Sequence, residues 1–419
     1  DVSGFEEFKA NFEITAIDSN NRAIPQSQLN TILMTSGKKT IIVKPSKANA
    51  NGYVGEKRFT ITVNGQKLKS TDFVLTYADT KSTVVKAVDY TGSNMCPNLF
   101  TSLKEGKDYT AKYYLGKNEI KKDQIVNAGT YKLALTGIND YSGTVNITFK
   151  INRVNIAKAY SSGKMTVMGD STVTFDITGT KSTVRLTYDA DSGSKYSRMS
   201  LAEGVDFTVS YTNNKKISTT SGRKMSMGVA VVTGKGNYCG ALKGSSKKTH
   251  TENPLSFAVT RKSISSSDIT FVVTSLTEKR GKYTAKLIGY DKGKKIGGSD
   301  YKVYVYSGGT QISITGQGRY SGSRTITTSK SLVSVTSKNI IITYDKSNLY
   351  YTGEQIVPAV TIQDKSVMSE ITENFDITYG ENTKIGVGTI TITGKPDKGY
   401  CGQKVIKFTI LPKWARWLF

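Results

Sequence analysis

The chain is short of the residues on which catalytic and crosslinked proteins most depend. Its 419 residues include one histidine, three cysteines, two tryptophans and seven prolines. One histidine excludes a metal site built from several imidazoles. A hydrolytic triad would need a nucleophile and an orienting acid brought to the polar stretch around His250, which is expected to be an exposed loop residue. Cys96, Cys239 and Cys401 are spread far apart, so a disulfide framework is excluded unless distant parts of the chain crosslink. That usage argues against a disulfide-rich secreted domain. No apolar run is long enough to span a membrane. The chain begins at Asp1 with neither an initiator methionine nor a signal peptide, and is expected to be a mature or cut product.

Acidic residues are also scarce, 33 against 58 lysines and arginines, for a net charge of +25. The excess is mostly lysine and is spread along the chain, with no dense basic cluster. A solvated surface explains it; attraction to anionic polymers is the functional alternative. Nucleic acid is not an expected partner, because arginine-rich patches interleaved with aromatics are absent.

What the chain has in quantity is glycine and tyrosine, 39 and 24 residues. They meet in a recurring stretch, Gly234-Lys235-Gly236-Asn237-Tyr238-Cys239-Gly240. Gly316-Gln317-Gly318-Arg319-Tyr320-Ser321-Gly322 is a close copy. Looser copies surround Tyr53, Tyr141 and Tyr400. The glycines suit a tight connection, and a tyrosine held there can bury its ring and keep its hydroxyl near a polar partner. Alternating apolar runs flank each copy, such as Thr144-Val145-Asn146-Ile147-Thr148-Phe149-Lys150-Ile151. No segment has convincing helical periodicity, so the pattern predicts an all-β protein of short strands.

Five tyrosine turns imply five modules, each the size of a small β-sandwich. The expected boundaries are 1–64 (divergent or incomplete), 65–152, 153–261, 262–334 (short) and 335–411, with a tail at 412–419. Asn64-Gly65 reads as a two-residue hairpin turn into the second module. The junctions near Arg153 and Arg261 are short and not rich in glycine or serine, which predicts stiff joints in an elongated array.

The order Tyr-Thr-Gly…Pro, Leu-x-x-Gly-x-Asp-Tyr-Thr, Asn-Asn, Gly-x-Gly-Asn-Tyr-x-Gly and a Phe-x-Ile strand resembles a bacterial Ig-like repeat. Such repeats occur in large surface and secreted proteins of gut Firmicutes and Actinobacteria. The resemblance covers residues 1–411 and is best in the second, third and fifth modules. It implies tandem Ig-like β-sandwiches in a non-catalytic stalk or adhesin at the surface of a Gram-positive bacterium, or outside it. The resemblance leaves the ligand unspecified; the expected partner is a host glycan, a wall polymer or a host protein such as an immunoglobulin. A spacer or carbohydrate-binding region of a larger secreted glycan-active enzyme is the alternative.

Sites for chemistry are few. Gly234-x-Gly236 and Gly316-x-Gly318 precede strands, where a dinucleotide loop would open a helix, so they read as turns. Asp189-Ala190-Asp191-Ser192-Gly193 begins like a calcium loop but lacks the later ligands. Asp108, Asp206 and Asp376 recur before strands, one per module, as expected of turn-capping carboxylates bonded to backbone N–H groups. A crosslink between a lysine and an asparagine or aspartate needs a buried triad, and lysines are almost always exposed. The pairs Tyr113-Tyr114 and Tyr350-Tyr351 could offer sugar-stacking rings, but alternation turns one of each pair inward. The tail carries both tryptophans, Trp414 and Trp417, and is expected first to be the start of a truncated further domain, with a partner-binding or membrane-touching segment or a cloning remnant as the alternatives. No cofactor, metal or catalytic residue is expected.

Overall fold

A side chain that alternates in polarity at every residue favours a strand with one wet face and one dry face. The described structure follows that rule. It is a computed structural model, and it describes residues 11–18, 20–25, 27–29, 36–46, 52–190, 198–219 and 225–417. The protein is all-β. In Gly129–Gly137 the inward residues Tyr131, Leu133 and Leu135 are at most 1% exposed, and Lys132 and Ala134 between them are only half-buried.

Two compact units can be distinguished. One comprises Asp1–Val167, Arg185–Val209 and Val232–Leu242; the other comprises Met168–Val184, Ser210–Val231 and Lys243–Phe419. The division runs through residues 153–261.

In the first unit, strands Ala23–Ile24, Phe12–Ile17, Gly37–Pro45 and Lys57–Val63 lie in that order in an antiparallel sheet. The following segment has a five-stranded sheet in the order Asn118–Ile120, Tyr109–Leu115, Gly129–Gly137, Thr144–Asn152, Ala87–Asp89, the last pair being parallel. A second, two-stranded sheet pairs Val74–Thr76 with Asn98–Phe100. The core draws Leu75 and Leu99 from the small sheet and Tyr113, Leu133, Phe149 and Ile151 from the large one, which makes a sandwich. Each fully buried member of this core, such as Leu133 or Ile151, contributes about 1.5–3 kcal/mol relative to exposure.

In the second unit, residues 340–410 repeat this plan. Ile340–Tyr344, Val360–Asp364 and Ser369–Glu370 form one sheet; Phe375–Tyr379, Gly386–Gly394 and Gln403–Ile410 form the other. Ile340 and Ile362 meet Phe375, Ile390, Ile392 and Phe408 in the core between them. Before this sandwich come the long hairpin Ile269–Lys279/Lys282–Asp291 and the sheet Tyr301–Tyr306, Gln311–Gly316, Ser323–Thr327.

Four of the five recurring tyrosine turns share one construction, and the turn at Tyr53 does not, since Tyr53 lies in no strand. Tyr141, Tyr238, Tyr320 and Tyr400 each begin a two-residue strand that pairs in parallel with Gln66, Val154, Lys262 and Val333 respectively. The glycine before each turn donates its N–H to the carbonyl of the glycine after it: Gly137 to Gly143, Gly234 to Gly240, Gly316 to Gly322 and Gly394 to Gly402, all at 2.9–3.0 Å. The turn therefore clips onto the first residues of its own segment. For the last segment this start is Val333, two residues before the expected boundary.

Three further features differ from the sequence reading. Ile156–Ser161 forms an α-helix too short to show a period, started by Asn155, whose Oδ1 accepts from the N–H groups of Ala157 and Lys158 at 3.1 Å. Asn64-Gly65 joins strands that do not pair with each other. Instead, Gln66 pairs with Tyr141, and a Cβ on Gly65 would stand 2.8 Å from the Tyr141 carbonyl carbon. The junctions are shorter still than expected, with only Arg153 between strands Thr144–Asn152 and Val154–Asn155 and only Arg261 between Ser256–Thr260 and Lys262–Ser263.

Candidate functional site

In strand Tyr301–Tyr306, alternation sends Tyr301, Val303 and Val305 inward and Lys302, Tyr304 and Tyr306 outward. Tyr304 and Tyr306 are 47% and 53% exposed, and their ring centres lie 6.3 Å apart at 33°. The antiparallel register sets neighbours beside each outward residue. Tyr306 faces Gln311 and then Thr327, Tyr304 faces Ser313 and Thr325, and Lys302 faces Thr315 and Ser323. The outer face of this sheet is thus a column of two aromatic rings and a lysine beside two columns of hydroxyl and amide groups.

One end of the face opens into a groove of about 600 Å³ lined by Gly281–Ala285 and Val303–Gly309. No carboxylate, histidine or cysteine is among its lining residues. Two turns shape it. Arg280 and Gly281, with φ of 54° and 77°, form the two-residue tip of the long hairpin. Ser307, Gly308 and Gly309 all have positive φ, and a Cβ on Gly309 would stand 2.5 Å from the Tyr283 ring. Glycine at 309 is what lets the Tyr283 ring close the groove wall. Such a surface can stack a flat apolar face and exchange hydrogen bonds with hydroxyl groups beside it.

Tyr304 and Tyr306 were legible as residues two apart in a strand, yet the adjacent pairs drew the sequence reading. Of those, Tyr113 is buried in the core, and only Tyr351 reaches 38% exposure.

The tyrosines singled out by the repeat fall at graded depth. Tyr238, Tyr320 and Tyr400 are buried, at 2%, 0% and 9% exposure. Tyr141 is half-buried. Tyr53 is 50% exposed, its ring 4.9 Å from that of Phe12. The carboxylates separate into two kinds. Asp108 Oδ2 accepts from the Lys104 N–H at 2.8 Å, and Asp206 Oδ2 accepts from the Ala202 N–H at 2.9 Å. Asp376 lies one residue inside strand Phe375–Tyr379 and meets Lys395 at 3.5 Å. The backbone place of Asp108 and Asp206 is taken there by Asn374, whose carbonyl accepts from Lys395 N–H as theirs accept from Ile138 and Lys235.

His250 is half-buried and not exposed, its Nδ1 3.0 Å from the Ser256 carbonyl oxygen. Asp191, Ser192 and Gly193 of the calcium-like stretch lie outside the described residues, as do Leu418 and Phe419 of the tail. Trp414 is 67% exposed. Among the described residues no three histidine, cysteine or acidic side chains gather as a metal site would require. No helix there is long and apolar enough to cross a membrane.

One cluster of charge was not read from the sequence. Lys262 is 7% exposed, with Nζ 2.6 Å from Asp291 Oδ1 and 2.9 Å from Asp268 Oδ2. Asp291 is fully buried, and its Oδ2 accepts from the Tyr320 hydroxyl at 2.9 Å. Burial pulls the Lys262 ammonium down, but its bonds to Asp291 and Asp268 outweigh that and leave its pKa raised. Burial and the Asp291 carboxylate both push the Tyr320 phenol upward, so it stays a donor. Twenty-nine positions separate Lys262 from Asp291, and nothing local marks either one.

No protein-family model and no curated protein matches the chain. Among solved structures, the human desmocollin-1 ectodomain aligns over 96% of this chain and 92% of its own at 8% identity, with a TM-score of 0.11. That correspondence carries no argument.

Proposed function

We propose that the chain is a non-catalytic binding protein of the bacterial cell surface, in which Ig-like β-sandwich modules present an exposed platform to a polymeric glycan. The exposed pair Tyr304 and Tyr306, flanked in register by serine, threonine and glutamine, carries this reading. Sugars offer C–H faces to aromatic rings and hydroxyls to polar neighbours, and this face supplies both kinds of partner side by side. Lys302 continues the aromatic column and Lys282 lines the groove, which favours a glycan bearing sulfate or carboxylate. The net charge of +25 adds long-range attraction without a fork to fix one geometry.

Titration of sialylated or sulfated mucin glycans against the purified chain tests the reading, with a neutral glycan and serum proteins in parallel. Binding of the anionic glycans that weakens in Tyr304→Ala/Tyr306→Ala supports it. Binding of serum protein alone, untouched by that double substitution, replaces it with a host-protein receptor.

A further inference from the structure

The four parallel clips allow a comparison position by position. The residue paired with the turn tyrosine is Gln66, Val154, Lys262 or Val333. Two clips thus use valine where the third uses a lysine. The last also keeps the tyrosine–aspartate contact without a lysine, Tyr400 lying 3.4 Å from Oδ2 of the buried Asp364. A buried ion pair commonly contributes no more than apolar residues of similar volume. The parallel pairing itself therefore does not require an amine at this position.

What distinguishes the Lys262 site is reactivity. An amine nitrogen and a carboxyl group are held in contact away from water, with Nζ 2.6 Å from Oδ1 and both side chains less than 10% exposed. Reacting groups fixed at such a separation gain the large effective concentration of an intramolecular reaction. A second carboxylate, Asp268, touches the same nitrogen at 2.9 Å and is 44% exposed, so it can exchange protons with solvent. The Tyr320 hydroxyl donates to Oδ2, the oxygen on which negative charge would build during attack.

We propose that Lys262 and Asp291 condense into an intramolecular amide. A proton must first pass from the ammonium to the carboxylate, a step made against the bonds to Asp291 and Asp268 that hold the resting amine protonated. The Nζ lone pair then attacks Cγ, and Tyr320 stabilises the charge on Oδ2. Asp268 takes a second proton from the nitrogen and returns it to the departing Oδ1. That oxygen leaves as water and Oδ2 becomes the amide oxygen. One ammonium and one carboxylate give one amide and one water, and no oxidant, metal or cofactor takes part. Tyr320 and Asp268 act on the reacting atoms, and the Gly316–Gly322 clip holds Tyr320 in place.

Mass spectrometry of the full-length chain, denatured so that non-covalent contacts are lost, tests this. The expected result is a mass lighter than the sequence by one water, with digestion yielding a single branched species that carries Lys262 and Asp291. Lys262→Arg keeps the charge but should have its full sequence mass and separate peptides. Asp268→Asn, on the cluster's solvent side, should retain the water in most molecules while its β-sheet circular dichroism is unchanged. A wild-type chain of full sequence mass, cleaved by trypsin after Lys262, would overturn the proposal. A fully linked Asp268→Asn chain would overturn the role given to Asp268.

Discussion

The ring of Tyr238 meets the ring of Tyr90 edge-on, with centroids 5.7 Å apart at 82°. Tyr188 meets it from its own segment at 5.9 Å and 84°. The turn tyrosine therefore stands between two neighbouring segments of the first unit. Asn237, beside it, reaches the same neighbour: its Oδ1 accepts from the Ala128 N–H at 2.8 Å, and its Nδ2 donates to Asn127 Oδ1 at 3.0 Å. The second unit has the same relation, where Tyr320 meets Phe175 edge-on at 5.7 Å and Arg319 lies over that ring. A motif that serves its own sandwich also ties it to the one before.

Replacing Tyr238 with alanine should cost about 3–5 kcal/mol, as truncating a buried aromatic does. The loss should also be felt by the preceding segment through Tyr90. A double-mutant cycle of Tyr238→Ala with Tyr90→Ala, read by chemical denaturation, should give a coupling of about 0.5–1.5 kcal/mol. Strict additivity would mean that the edge contact contributes nothing.

The two kinds of aspartate should respond differently. Asp108→Ala and Asp206→Ala each remove an acceptor from a backbone N–H and should cost about 1 kcal/mol. Asp376→Ala removes only a solvent-exposed ion pair and should stay within about 0.5 kcal/mol of wild type. Denaturant midpoints of the three variants give the comparison, and an equal cost for Asp376 would restore it to the capping set.

These contrasts indicate what the sequence could and could not carry. The all-β class was legible because alternation acts locally, residue by residue. The tyrosine turns were legible because glycine and tyrosine recur at fixed offsets. Their partners were not, since Gln66 and Tyr141 or Lys262 and Tyr320 meet only through chain folding. Asp376 looked equivalent to Asp108 and Asp206 by its place before a run of Ile-Thr-Tyr. The 3₁₀ turn Thr372–Asn374 puts Asn374 at the capping place and carries Asp376 onto the strand's outer face. The Ile156–Ser161 helix depended on a single capping asparagine. Lys262 was hidden by a sound rule about lysine exposure that its two carboxylate partners override.

Stability should fall in acid through Asp176. Burial raises its pKa, but hydrogen bonds from Lys292 and Thr178 outweigh that and bring it down from 3.8 to about 2. A folded pKa below the unfolded one means the stabilisation is complete above the unfolded value. It is lost as pH falls from 3.8 towards about 2. Because Lys292 is 45% exposed, solvent screening keeps the contribution of the pair small. Melting temperatures between pH ~5 and ~2 should drop more steeply for wild type than for Lys292→Met. Parallel curves would show that the pair carries no linkage.

The central claim is that Tyr304 and Tyr306 form the platform of a glycan-binding face, and calorimetric titration tests it most directly. Wild type should bind sialylated or sulfated mucin glycans at physiological salt, where the Debye length is ~8 Å, and bind them more weakly at ~1 M. Tyr304→Ala/Tyr306→Ala should lower the affinity at least about tenfold, equivalent to about 1.4 kcal/mol, at unchanged melting temperature. Equal affinity in wild type and the folded double variant would contradict the account.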